Sequence, residues 1–248
     1  MNSFPLLHID SHLYRENQFV DHYFDSQLSA RYDSNFLRFK QLPDFTQYQL
    51  YELYLTSFHS LHELMHIKFI WPENEVLSEP ISSYLISKQY TITTLSLYAM
   101  NSLDYKGRTT TSADVREVTE EIASSYLQAQ RLESMRYGEK FAEQKDQLLR
   151  KLLISPRHKI YAAMVGTQVV GSITVHINRR GIELDEFYVL EAFQRQGIGT
   201  SLITAIVKDF PNTQMILVTD ADDTAKDMYE KLGFIKEGFR VEFIKCFD

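Results

Sequence analysis

Hydrophobic positions in the second half of the chain alternate in three successive runs and then change to helical spacing. Residues 159–165, 168–177 and 182–189 are rich in β-branched and aromatic side chains. The short turns between these runs predict antiparallel strands. The next apolar positions have the spacing i, i+3, i+4, i+7, which predicts a helix with one buried face: Ile203, Ile206, Val207 and Phe210.

The flanking segments complete an α/β (α+β) pattern. Residues 215–219 predict a buried strand, and residues 225–232 a helix that Asp222 or Asp223 caps and Gly233 ends. Residues 239–246 alternate as a last strand. Upstream, 114–153 predicts one or two amphipathic helices with Gly138 as a break. The order from Asp114 is therefore α-α-β-β-β-α-β-α-β, which predicts a mixed, mostly antiparallel sheet flanked by helices.

The first hundred residues predict a smaller α/β domain. Strand-like and helix-like runs alternate there as β-α-β-α-β, at residues 35–40, 44–61, 66–71, 75–89 and 90–100. This is the order found from Ile182 to the end, so the chain is expected to hold a degenerate internal repeat. The polar stretch 101–114 predicts a linker. We therefore expect an N-terminal domain at 1–106 and a second domain at 107–248.

The amino-acid composition limits the kinds of ligand and partner that we expect. The formal net charge of −7 gives no reason to expect nucleic-acid binding, and an acidic surface tolerates cationic substrates such as amines. The one cysteine, Cys246, excludes an intrachain disulfide and fits a reducing compartment. With no signal-like N-terminus and no long apolar run, we expect a cytoplasmic protein that does not bind membranes.

The stretch FQRQGIGTSL, Phe193 to Leu202, favours one of several loop types. A dinucleotide fingerprint would use Gly197 and Gly199, but Leu202 holds its third glycine position and too little chain follows. The phosphate-binding pattern G-x-x-x-x-G-K-[ST] is absent from this stretch. A third interpretation is a helix start whose amides face an anion, with Arg195 adding positive charge. A plain loop is the remaining alternative.

Two motifs decide between these interpretations. YVLEAFQRQGIGTSLI resembles the acyl-CoA-binding motif of the GNAT superfamily of N-acyltransferases, with Gln194, Gly197 and Gly199 at its marked positions. DDTAKDMYEKLGF resembles the motif that follows it, although an aspartate stands where asparagine is commoner. The marked positions of this second motif are Asp222, Ala225, Tyr229, Gly233 and Phe234. The resemblance covers Asp114 to Asp248 and implies a GNAT fold in the second half.

The resemblance implies acyl transfer, usually of acetyl, from acetyl-CoA to an amine without a metal. The pyrophosphate would lie on the amides that follow Gln194 and Arg195, which are those of Gln196, Gly197, Ile198, Gly199 and Thr200. The pantetheine arm would pair like an added strand with Phe187, Tyr188 and Val189. The second motif would add Asp222 and Tyr229 to the cofactor site. The sequence does not name the acceptor and leaves a homodimer open; the first half is expected to carry no CoA and to shape either the acceptor pocket or a dimer contact.

Two side chains are candidates for proton transfer. The resemblance implies Tyr229 as general acid for the departing thiolate, and the alternative is a core tyrosine. Glu183 stands where some superfamily members keep a basic carboxylate, while others use water or another residue. Period 2 places Glu183 and Asp185 on one strand face and Glu186 on the other. A non-catalytic acyl-CoA sensor is the alternative function.

A second motif points elsewhere. HELMH, His62 to His66, matches the H-E-x-x-H pattern of zinc hydrolases, with Glu63 as the base and a carboxylate from Glu73, Glu75 or Glu79 as a possible third ligand. That chemistry needs both histidines on one helical face. Because the sequence turns β-like at His66, we expect no metal there and interpret His59, His62 and His66 as polar interface residues.

Overall fold

The computed structural model describes residues 4–108, 113–223 and 225–247, without the side chain of Pro5. Its helices are α1 (Phe45–Leu61), α2 (Glu79–Ser87), α3 (Glu120–Ser134), α4 (Glu139–Leu153), α5 (Ile198–Asp209) and α6 (Ala225–Leu232). Its strands are β1 (His12–Glu16), β2 (Val20–Phe24), β3 (Phe36–Phe39), β4 (His66–Ile70), β5 (Thr91–Asn101), β6 (Asp114–Glu117), β7 (His158–Val165), β8 (Gln168–Asn178), β9 (Gly181–Val189), β10 (Gln214–Asp220) and β11 (Ile235–Cys246).

The chain forms two compact units. The larger unit consists of Leu97–Thr219, Asp223–Glu237 and the N-terminal segment that ends at His8. The smaller unit consists of Ile9–Ser96, Asp220–Asp222 and the segment that begins at Gly238. Among the described residues, no helix is both long enough and apolar enough to cross a bilayer.

The larger unit is a sheet in the order β5-β10-β9-β8-β7-β6, with helices on it. β6 to β9 pair antiparallel, and β9 and β10 are parallel because α5 connects them. α5 buries Leu202, Ile203 and Ile206 completely in a core that includes Val175 and Leu184. The other face of β8 meets α3, where Gln130 Nε2 donates to Ser172 Oγ at 3.0 Å.

The smaller unit has the order β1-β2-β3-β4-β11. β1, β2 and β3 pair antiparallel, and α1 joins β3 to the parallel β4. α1 begins with a capping box: Asp44 accepts from the Gln47 amide at 2.8 Å, and Gln47 Oε1 accepts from the Asp44 amide at 3.1 Å. Aromatic side chains fill the core of this unit, among them Tyr48, Phe69, Trp71 and Phe243.

The element order of one half recurs in the other. β3-α1-β4-α2-β5 has the order of β9-α5-β10-α6-β11, and an antiparallel hairpin precedes each series. However, the last strand of the first half joins the sheet of the larger unit, and the last strand of the second half joins the sheet of the smaller unit. β5 neighbours β10 in the larger unit, and β11 pairs with β4 in the smaller one.

The predicted fold class, mixed α/β with a mostly antiparallel sheet, is confirmed. The strands and helices predicted from Lys159 onward are all present, and Gly138 separates α3 from α4. The prediction missed three strands: β1, β2 and β6. The predicted order from Asp114 is wrong at its start, because β6 precedes α3. Part of the predicted linker, 109–112, lies outside the described residues.

Candidate functional site

The carboxyl end of β9 separates from β10. The described pairing of these parallel strands runs from Ile182 opposite Met215 to Leu184 opposite Leu217. Just beyond it, Glu186 has a left-handed φ of 49°, and the register between β9 and β8 shifts. A bulge of this kind turns a strand away from its neighbour and is common beside active sites. The buried Lys145 of α4 forms an ion pair with Glu186 and holds the bulge.

The loop after β9 leads into α5 through backbone that favours glycine. Arg195 has a φ of 60° and Gly197, the N-cap residue, a φ of 80°. Gln194 donates to the carbonyl of Val189 and Gln196 to that of Ala192, both at 3.0 Å, so these side chains brace the loop. The side chains of Gln194, Arg195 and Gln196 are solvent-exposed.

The first turn of α5 presents backbone amides at its start. The first helical hydrogen bond joins the Ser201 amide to the Gly197 carbonyl at 3.0 Å, so the amides of Ile198, Gly199 and Thr200 precede the helical series. Gly197 has no side chain with which to cap them. The positive end of the helix dipole adds to their potential, and the site therefore suits an anion.

Gly199 brings this helix start against β9. A Cβ at Gly199 would lie 2.8 Å from Phe187 Cζ and 3.1 Å from Met228 Sδ, so a side chain at this position would require these two neighbours to shift. Gly199 therefore allows close packing against Phe187, and its predicted cofactor contact stays a prediction. Ile198 beside it is buried in the core. The helix start and the separated end of β9 are in this way adjacent.

Three further residues of the predicted cofactor site, Tyr188, Val189 and Thr200, differ in the neighbours that they contact. Tyr188 pairs with Ser172 on β8, and burial raises the pKa of Tyr188 to about 12. Val189 pairs with Gly171, where a Cβ would lie 2.9 Å from the Tyr188 carbonyl oxygen. The Thr200 carbonyl accepts from the hydroxyl of Tyr105 at 3.1 Å.

Tyr229 lies in α6 with its side chain buried and aromatic rings around it. The ring centroid of Phe187 is 6.2 Å away and that of Phe234 5.9 Å away. Burial, together with the negative charge of Asp223, raises the pKa of Tyr229, so its hydroxyl stays protonated at neutral pH. A protonated hydroxyl is what a general acid requires.

Asp223 rather than Asp222 caps α6. Asp223 Oδ1 accepts from the amide of Ala225 at 2.9 Å. Asp222 belongs to the smaller unit by its contacts, and its amide donates to Asp220 Oδ1 at 2.9 Å. Of the two caps that the sequence left open, the structure selects Asp223. The predicted cofactor contact of Asp222 stays a prediction.

Glu183 is buried on β9, opposite His176 of β8. The amide of His8 donates to Glu183 Oε2 at 2.5 Å. Asp185, two residues on, has Oδ2 3.3 Å from His176 Nε2. Glu183 and Asp185 thus share a face, as period 2 predicts, while Glu186 meets Lys145. Sequence reasoning missed Lys145, Met228 and the three histidines 8, 158 and 176, because contacts between distant segments leave no local pattern.

The H-E-x-x-H stretch does not form a helical metal site. α1 ends at Leu61, His62 is its C-cap, and Glu63 has a left-handed φ of 56°. His66 is the first residue of β4, and its Nε2 lies 3.2 Å from the Asn35 carbonyl oxygen. The sequence predicted that the two histidines of the motif do not share a helix face, and this is what the structure has. The geometry of this stretch therefore gives no support to zinc hydrolase chemistry.

Comparisons with known proteins agree with this geometry. The sequence model described as acetyltransferase (GNAT) domain matches residues 116–245, and a domain of unknown function, DUF5613, matches residues 3–98. The predicted domain boundary between 106 and 107 stays a prediction. Over 69 residues the chain is 29% identical to the PanD regulatory factor of Salmonella typhimurium. That match covers 28% of this chain and 54% of the relative, so the chain spans about half the length of this curated relative.

Solved structures resemble the chain over most of its length. A Staphylococcus epidermidis protein, described as functionally unknown and conserved, is 25% identical with a TM-score of 0.88, covering 99% of this chain and 98% of that one. A GCN5-related N-acetyltransferase from Kribbella flavida is 13% identical with a TM-score of 0.60, covering 91% and 86%, and shows the fold alone. Since the acetyltransferase match spans more than half of the chain, this protein belongs to the GNAT acetyltransferase family, as its two motifs predicted.

Proposed function

We propose that the larger unit transfers an acetyl group from acetyl-CoA to an amine acceptor. The observation that carries the proposal is the uncapped start of α5 at Gly197, which lies beside the end of β9 where its pairing with β10 has stopped. An anionic head group and an extended arm are the two ligand parts that these two features suit. Family membership makes acyl transfer the expected chemistry.

The residues present fit such a cosubstrate. The amides of residues 196–200, with Arg195 nearby, would bind the pyrophosphate, and the backbone of residues 187–189 would pair with the pantetheine arm. Acetyl-CoA, when bound, supplies the acetyl group as a thioester. An amide of β9 would donate to the carbonyl oxygen that gains charge during the reaction. Phe187, packed against Gly199, fixes the spacing of the two features.

Two side chains would move protons. Tyr229 keeps its proton because burial raises its pKa, and it would donate that proton to the leaving sulfur. Glu183 is buried on the strand that would hold the pantetheine arm, and it would accept a proton from the attacking amine. The acidic net charge of −7 favours a cationic acceptor.

Charge placed at the N-cap of α5 tests the cofactor site. Asp and Asn both tolerate left-handed backbone and both cap helices, so Gly197→Asp and Gly197→Asn differ mainly in one negative charge. We expect Gly197→Asp to bind acetyl-CoA at least about tenfold more weakly than Gly197→Asn, because the carboxylate occupies the amides and repels phosphate. Isothermal titration calorimetry measures both, with circular dichroism as the folding control.

Turnover is tested separately. Release of free CoA thiol is followed over a panel of polyamines, amino acids, aminoglycosides and peptides with free N-termini. Turnover on an amine that stops in Gly197→Asp supports the proposal. Tight binding of acetyl-CoA with no turnover on any amine would contradict transfer and leave a binding role. Equal affinity of the two Gly197 variants would contradict the proposed pyrophosphate site.

A further inference from the structure

Three histidines from distant parts of the chain converge in the larger unit. His8, His158 and His176 each offer a ring nitrogen, and these three atoms lie within 4.8 Å of one another. The Nδ1 atoms of His158 and His176 are 2.8 Å apart. The ring of His8 stacks on that of His176 with centroids 4.2 Å apart. This cluster lies outside every motif of the sequence.

The fold positions the cluster through strand register. His158 of β7 is directly opposite His176 of β8, and His176 is opposite Glu183 of β9. Directly opposed side chains point to the same face of a sheet, about 5 Å apart at Cβ. The N-terminal segment places His8 above this row, because Phe4 is buried against Leu97, Ala99 and Ile216. The Leu6 carbonyl also accepts from Asn178 Nδ2 at 3.4 Å.

The hydrogen bonding of His176 directs one of its nitrogens into the cluster. Asp185 Oδ2 lies 3.3 Å from Nε2 of His176, so Nε2 is the nitrogen that carries a hydrogen toward this carboxylate. The Nδ1 lone pair of the neutral ring then points at His158. In metal sites a carboxylate commonly accepts a hydrogen bond from the other ring nitrogen of a ligating histidine, which fixes the tautomer and makes the ligand more basic.

We propose that His8, His158 and His176 bind a divalent transition-metal ion of the zinc class. Imidazole suits Zn²⁺, Cu²⁺, Ni²⁺ and Co²⁺, and three protein ligands leave a fourth position for water or a small ligand. Tetrahedral zinc with bonds of about 2.0–2.1 Å separates its nitrogen ligands by about 3.4 Å. The Nδ1 atoms of His158 and His176, 2.8 Å apart, need to separate by about 0.6 Å. The ring nitrogen of His8, within 4.8 Å of the other two, needs to approach them by about 1.4 Å at most.

The burial of the three side chains also suits a metal site. His176 is buried, His158 is half-buried and His8 is exposed, so the site opens to solvent on the side of His8. A metal can therefore enter without unfolding the sheet. Mg²⁺ and Ca²⁺ prefer oxygen ligands and are not expected to bind. The proposal does not depend on acetyl transfer.

Zinc and cobalt titrations of the full-length protein test the site. We expect one Zn²⁺ per chain by competition with a chromogenic chelator, and visible absorption bands from Co²⁺ in a tetrahedral site. His158→Ala, which removes a ligand, is expected to abolish the Co²⁺ bands. Asp185→Asn keeps all three ligands and is expected to weaken Zn²⁺ binding by about 10- to 100-fold.

Matched variants distinguish Zn²⁺ binding at these three histidines from nonspecific Zn²⁺ binding by other histidines. His12 has an exposed side chain and lies in the smaller unit, so His12→Ala is expected to bind Zn²⁺ like wild type. His8→Ala changes an exposed residue with little risk to folding and is expected to lose the Co²⁺ bands. Absence of Zn²⁺ binding to wild type overturns the proposal. Equal Zn²⁺ affinity of wild type and the His8→Ala/His158→Ala double variant also overturns it.

Discussion

α1 and α5 hold the same place in the two halves of the chain, each connecting two parallel strands, yet their N-termini differ in capping side chain and in backbone conformation. Asp44 closes α1 with its own carboxylate, which accepts from the Gln47 amide at 2.8 Å. Gly197 opens α5 without a side chain and with a φ of 80°. The same topology therefore gives one helix start that is satisfied internally and one that suits an external anion. The element order alone does not locate the ligand.

The tyrosines of the following helices differ in the same way. Tyr84 of α2 donates its hydroxyl hydrogen to Glu52 Oε2 at 2.7 Å, and burial raises its pKa to about 12. Tyr229 of α6 lies among the aromatic rings of Phe187 and Phe234. The proton of Tyr84 is thus engaged in a structural hydrogen bond. We infer that the first half stabilises the fold at the positions that correspond to the proposed catalytic and binding residues of the second half.

Separating the two halves should have the largest effect. A fragment of residues 107–248 lacks β5, whose Leu97, Tyr98, Ala99 and Met100 are buried in the larger unit. It also lacks Phe4, which packs on β5 and β10. We expect this fragment to show no cooperative thermal transition by circular dichroism, since a core strand with five consecutive buried residues is missing.

Co-expression of residues 1–106 with residues 107–248 is the control for this experiment. Both fragments together contain every strand, so the complex should melt cooperatively. A cooperative melt of 107–248 alone, near the temperature of the intact chain, would show that the exchanged strand is dispensable. In that case the second half would fold independently of the first.

β5 and β11, whose neighbours in the sheet come from the other half of the chain, show which features of the fold the sequence predicts and which it does not. Periodicity located β5 and β11 correctly, because each has its own β-rich pattern. Their pairing partners, β10 and β4, are distant in sequence and follow from packing of the complete chain. β1 was missed because all five of its residues are exposed, and β6 is only partly buried, so neither has a hydrophobic face to detect.

The same reasoning explains the outcome for the candidate site. The loop around Gly197 and the helix of Tyr229 were predicted because each motif is contiguous. The bulge at Glu186 and its ion pair with Lys145 join residues 41 positions apart. His8, His158 and His176 meet only through strand register and the anchored N-terminal segment. Local sequence patterns carry no information on such contacts.

Acidification should affect the smaller unit first. Burial lowers the pKa of His22, His59 and His66 to about 4, against about 6.5 for an exposed histidine. Between pH 6.5 and 4 the unfolded chain binds more protons, so stability is complete above pH 6.5 and falls as pH drops through this window. With about 1.4 kcal/mol per pKa unit, the loss is on the order of several kcal/mol.

Trp71, the one tryptophan of the chain, reports on this unit because it lies in its core. Urea unfolding followed by Trp71 fluorescence at pH 7.5 and pH 5 measures the effect. His22→Gln should reduce the pH dependence by roughly a third, as one of three titrating groups is removed. The exposed His12 gives the control His12→Gln, which should leave the slope unchanged. A pH-independent midpoint would contradict the burial argument.

Substitution of Tyr229 or Tyr84 by phenylalanine tests whether the two tyrosines differ in their contribution to catalysis. Tyr229→Phe removes the proposed general acid and should lower kcat by about 10²-fold or more with little change in acetyl-CoA affinity. Tyr84→Phe removes a hydroxyl that donates to Glu52 and should leave kcat near wild type. Steady-state kinetics with the amine found in the acceptor screen measures both. Similar kcat values for the two variants would remove Tyr229 from the mechanism.

The smallest effect concerns the start of α1, which Asp44 caps. Asp44→Ala removes the carboxylate that accepts from the Gln47 amide and should cost about 1 kcal/mol of unfolding free energy. Asp44→Asn keeps an acceptor and serves as the matched control, with a loss of a few tenths at most. Neither variant should bind acetyl-CoA more tightly than wild type, because the smaller unit has no counterpart of the glycine loop at α5. An increase in acetyl-CoA stoichiometry in Asp44→Ala would mean that the capping carboxylate alone keeps the anion from α1, and that the two halves differ in charge rather than in backbone.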